Sequence, residues 1–130
     1  MRLNQQTGEI TIGNESLNRG LTEEALHERF SAYQLKLYIN NIHLSLWAIP
    51  NFTEDKGISI YMTKGKVTTY AIAPAESRGF PPFEINEELR AEIRAYLVEL
   101  GGERKYEWGE VCYTEDSRSG SVSVHINYND

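Results

Sequence analysis

Apolar side chains recur at every second position in several separate stretches of this chain. Leu35, Leu37 and Ile39 alternate with Gln34, Lys36, Tyr38 and Asn40; Ile58, Ile60 and Met62 repeat the pattern; Val122, Val124, Ile126 and Tyr128 alternate with Ser121, Ser123, His125 and Asn127. A period of two sends neighbouring side chains to opposite faces, so each stretch reads as a strand, the last with one wet face. Leu44 to Ile49 reads as another strand that ends at Pro50, and Lys64-Gly65 turns the 58–62 strand back into Lys66 to Ala73. Four strands in sequence with short connections predict an antiparallel meander.

Two segments change the period to about 3.6. Thr22 precedes Glu23-Glu24 as an N-cap with acids in the first turn, and Leu26 and Phe30 lie four apart, which predicts a short helix over 22–32. Asn86 caps a longer one in the same way, ahead of Glu87 and Glu88. Leu89, Ile93, Tyr96, Leu97 and Leu100 then form one apolar stripe, and Gly101-Gly102 ends it. A small opening hairpin about Thr7-Gly8 and a closing one from Trp108 to Tyr128 complete the chain. The expected fold is α+β: an antiparallel sheet, meander plus terminal hairpins, packed against two helices in one domain spanning 1–130.

The totals exclude several classes. At 130 residues with 31 Leu, Ile, Val and Phe, the chain has material for a core. No apolar run approaches the roughly 18 residues that span a bilayer, and the first residues carry no signal-like apolar region. Cys112 is the only cysteine, which suits a reducing, cytoplasmic setting. The net charge is −6. It is concentrated between Glu84 and Asp116, where ten acids face four bases, the wrong sign for a nucleic-acid footprint and the right one for a cationic partner.

No spacing of catalytic, metal-binding or phosphate-binding residues stands out, so the chain is expected to be non-enzymatic and without a cofactor. His27, His43 and His125 are scattered, with His27 and His125 expected at the surface. Cys112 has no basic neighbour in sequence and reads as a packed thiol. Trp47, Tyr70, Trp108 and Tyr113 fall in strands, where aromatic rings favour core or cross-strand packing. Glu88, Glu92 and Glu99 lie within about 40° of one another along the second helix, beside its apolar stripe. That line is either an ordinary solvated face or a cation-attracting recognition surface.

Residues 79–84, "GFPPFE", place Phe80 and Phe83 around two prolines, which hold an extended backbone and fix where the rings point. Either the rings tuck beneath the second helix, with Phe83 or Ile85 as its staple, or one stands out as an aromatic anchor beside an acidic rim. The candidate protein-binding residues are therefore Phe80, Phe83, Glu84, Glu88, Glu92, Glu99 and Glu103.

Two stretches carry a family resemblance. "LNQQTGEITIGNESLNRGLTEEALHERF", residues 3–30, resembles the hairpin-then-helix opening of immunity proteins encoded beside bacterial polymorphic or contact-dependent toxins, and "WGEVCYTEDSRSGSVSVHINY", residues 108–128, resembles their closing hairpin. The resemblance implies a cytoplasmic antidote that binds one cognate toxin domain. A toxin that cleaves nucleic acid must hold phosphate and is often basic, which agrees with the charge. The rivals are an acidic secretion chaperone, usually dimeric and usually with a helix after its last strand, and a small ligand-binding or enzymatic domain.

Overall fold

The computed structural model describes residues 1–76, 85–116, 118 and 121–129. It is an α+β fold, mostly sheet. The expected meander is present: β4 (Lys36–Asn40), β5 (Ser45–Ile49), β6 (Lys56–Thr63) and β7 (Lys66–Pro74) pair antiparallel in succession. The closing hairpin, β9 (Gly109–Asp116) and β10 (Ser121–Tyr128), joins the same sheet, and a short β8 (Arg104–Tyr106) adds one edge. The order is β4-β5-β6-β7-β10-β9-β8, so the last strand of the chain lies in the middle of the sheet. The opening hairpin is really three strands, β1 (Arg2–Leu3), β2 (Ile10–Ile12) and β3 (Glu15–Leu17), forming a sheet of their own. Neither β3 nor β8 was expected; three residues are too few to show a period.

Register explains where the core sits, because directly opposed residues share a face. One row runs Trp47, Ile60, Tyr70, Ile126, Val111 and the next Ile49, Ile58, Ile72, Val124, Tyr113. Against this face pack both helices and the three-stranded sheet, burying Ile10, Leu17, Leu26, Phe30, Ile93 and Leu100 completely or nearly so. The opposite face carries Lys36, Ala48, Ser59, Ala71, His125 and Cys112 in one row.

Helix α1 (Glu23–Arg29) starts where Thr22 Oγ1 accepts the Ala25 N–H at 3.1 Å. Helix α2 (Glu87–Glu99) starts where Asn86 Oδ1 accepts the Leu89 N–H at 2.9 Å. Its end is a Schellman turn: Gly101 N–H donates to Val98 O at 3.0 Å and Gly102 N–H to Leu97 O at 2.9 Å. That turn needs a left-handed residue, and Gly101 takes φ +95° without a Cβ to resist it. Among the described residues no helix is long and apolar enough to cross a membrane.

Polar locks fix the two sheets together. Tyr128 Oη donates to Gly8 O at 2.7 Å, Trp108 Nε1 to Gln5 O at 2.8 Å and Tyr70 Oη to Asn18 O at 2.6 Å. Burial raises the pKa of both tyrosines, so these hydroxyls stay protonated donors. Trp108 and Tyr70 are buried, as expected, and Trp47 and Tyr113 pack partly buried against the core. Two expectations fail. A bulge between Leu37 and Ile39 breaks the alternation of β4, sending Leu37 to the core side with Trp47 and Ile39 to the other face with Leu46. His125 is half-buried rather than at the surface, because β10 is flanked by strands on both sides; burial lowers its pKa.

Candidate protein-binding surface

Helix α2 lies over β10 and β9, and the register puts Glu115 on the face beneath it, whereas Glu110 and Asp116 fall on the opposite face with Cys112, where Glu103 also lies close by. Nine of the ten carboxylates between residues 84 and 116 are described, and seven of these are exposed. The exceptions are Glu92 and Glu110, both half-buried. These acids are not uniformly free for a partner, however, since part of their charge is answered within the chain.

Arg90 is the centre of that internal compensation. Its guanidinium reaches Glu115 at 2.8 Å and Glu87 at 2.6 Å, and the Glu115 carboxylate is held below its ordinary pKa first by that hydrogen bond. Arg94 lies over the Tyr113 ring at 5.4 Å, and Tyr113 Oη donates to Glu115 at 3.1 Å. Sequence shows the Glu87–Arg90 step, three apart on a helix, but not Glu115, which the β9 register brings alongside.

The expected binding residues divide accordingly. Glu88 and Glu103 are exposed, and neither forms an ion pair or side-chain hydrogen bond among the described residues. Glu92 is engaged: its Oε1 lies 3.0 Å from Tyr96 Oη, which also sits 3.1 Å from Asp55 O. Glu99 receives the Met1 amine at 3.3 Å. Phe80, Phe83 and Glu84 lie outside the described residues, so the outward or inward position of the two rings is not part of this surface; Ile85, the other staple candidate, packs partly buried on the core.

Beside β8 an open depression of about 610 Å³ is lined by Gln5, Gln6, Arg104, Lys105, Tyr106, Glu107 and Trp108. Its floor is aromatic. Tyr106 stacks on Trp108 with centroids 4.8 Å apart, and Arg104 lies over Tyr106 at 5.1 Å. The mixture of two cations, one acid and two amides can hold polar groups of a partner. Cys112 is half-buried on the opposite face of the sheet, and its pKa is raised, chiefly by burial, which leaves a packed thiol. Compared with protein-family models, curated proteins and solved structures, the chain matches none.

Proposed function

We propose that this protein is a non-enzymatic immunity protein that binds and neutralises a cognate bacterial toxin domain, a basic nuclease being the best fit, in the cytoplasm of the cell that makes both. The observation that carries the proposal is that seven of the nine described carboxylates between residues 84 and 116 are exposed. Such a display steers a cationic partner and speeds its encounter. Of these, Glu88, Glu103, Glu107 and Asp116 form no ion pair among the described residues, while Glu92 and Glu99 are engaged in contacts inside the chain.

The test is co-purification of this chain with the protein encoded by the neighbouring gene, together with rescue of growth when that protein is expressed. A one-to-one complex that abolishes toxicity supports the proposal. Absence of binding and of rescue refutes it.

A further inference from the structure

Among the described residues, the seven-stranded sheet ends in β4 on one side and β8 on the other, and these two edges are unequally protected. Edge strand β8 is three residues long and two of them, Arg104 and Lys105, are exposed cations, a common way to discourage strand addition. Edge strand β4 is five residues long, contains no proline, and has one charge, Lys36. That charge is drawn away from the edge, for Lys36 Nζ pairs with Glu76 at 3.1 Å. Of five exposed large apolar residues among those described, four belong to this strand and its turn: Leu37 at 42%, Tyr38 at 60%, Ile39 at 37% and Ile42 at 83%.

The backbone of the turn after β4 is held in place by hydrogen bonds. Asn41 Oδ1 accepts the N–H groups of His43 and Leu44, each at 2.8 Å, and Asn41 N–H donates to Leu44 O at 3.0 Å. Ile42 therefore sits at the tip of a fixed turn. The bulge places Leu37 and Ile39 on opposite faces, so the edge carries apolar side chains both above and below. An edge strand with no further strand beside it among the described residues, flanked by apolar side chains, offers backbone groups that can pair with an added strand.

We propose that β4 is a self-pairing edge through which a second copy of this chain joins antiparallel, continuing the seven-stranded sheet across a two-fold axis. Charge selects this occupant. A copy carrying −6 is repelled by the acidic end of another, yet between Arg29 and Glu54 the only Asp, Glu, Lys or Arg is Lys36, so edges meet there without opposing carboxylates in that stretch. A cationic partner gains nothing from the same stretch. Isologous pairing of β4 with β4 also closes at two copies, because the guarded β8 edge blocks further growth. The dimer leaves the α2 side of each copy open, so pairing does not depend on the proposed toxin contact.

Sedimentation equilibrium of the full chain at rising concentration tests this. The expected result is a monomer–dimer equilibrium in the micromolar range that tightens as salt rises, because salt screens repulsion between two acidic copies. Ile39→Lys with Ile42→Lys should weaken it at least tenfold, and Glu88→Lys should not weaken it. Amide exchange of the unmodified protein, compared between dilute and concentrated samples, should show added protection confined to residues 36–40. A monomer at every concentration overturns the proposal, as does a dimer whose protected amides lie elsewhere or one that survives both lysines.

Discussion

The two ends of the large sheet contrast in how they spend charge. At the β8–β9 end, α2 and the neighbouring strands hold nine described carboxylates, and the free edge itself is guarded by Arg104 and Lys105. At the β4 end, a stretch of more than twenty residues contains one lysine and four exposed apolar side chains. The acidic end is suited to long-range attraction, which is fast and weakened by salt. The apolar end is suited to short-range pairing, which salt does not weaken. The two proposed surfaces thus call for partners of different chemistry, and ionic strength separates them.

The most damaging substitution should be Gly109→Ala, which breaks the contrast by removing the acidic end. Gly109 has φ +157°, and a Cβ there would lie 1.9 Å from Asn127 O in the facing strand. The β9–β10 register cannot hold with that contact. Thermal or urea unfolding should show a loss of about 3 kcal/mol or more.

Charge reversal comes next and sharpens the contrast. Glu88→Lys with Glu103→Lys touches exposed groups that have no ion pair or side-chain hydrogen bond among the described residues, so the melting temperature should hold. Affinity for a cationic toxin should fall roughly tenfold at low salt. Titration calorimetry reads this directly. Tyr96→Phe probes how firmly α2 is pinned, since it deletes the hydroxyl between Glu92 and Asp55; a loss of about 1 kcal/mol is expected in chemical denaturation.

The smallest effect is a pH dependence. Burial lowers the pKa of His125 below its ordinary value of 6.5. The unfolded chain then binds a proton that the folded one refuses, so stability is full above about pH 6.5 and declines as pH falls toward the folded-state pKa. His125→Gln should flatten that part of the stability curve, measured by unfolding between pH 7.5 and about 5. An unchanged slope would assign the acid sensitivity to other groups.

Much of this was legible in the sequence where the cause is local. The N-caps Thr22 and Asn86, the stripe of α2 and its Gly101 ending involve contacts three to six residues apart, and the meander needs only short turns. What escaped depends on distant parts of the chain. Nothing local says that β10 inserts beside β7, and from that insertion follow the half-burial of His125 and the pairing of Glu115 with Arg90. The β4 bulge was hidden for the opposite reason: Leu35, Leu37 and Ile39 alternate cleanly, but β4 pairs with one strand only among the described residues, and a single neighbour enforces the pleat less firmly than two. Of the expected binding residues, the engagement of Glu92 by Tyr96 four positions on was open to inference, whereas Glu99 meeting the Met1 amine was not.

The decisive measurement is the affinity of this chain for the protein encoded beside it, the proposed toxin, taken at about 50 and about 300 mM salt. Opposed charges should draw the pair together, so the complex should loosen markedly at the higher salt, and the Glu88→Lys, Glu103→Lys variant should lose most of that dependence. A complex equally tight at both ionic strengths, or one that the two lysines leave untouched, would contradict the assignment of the acidic end as the toxin contact.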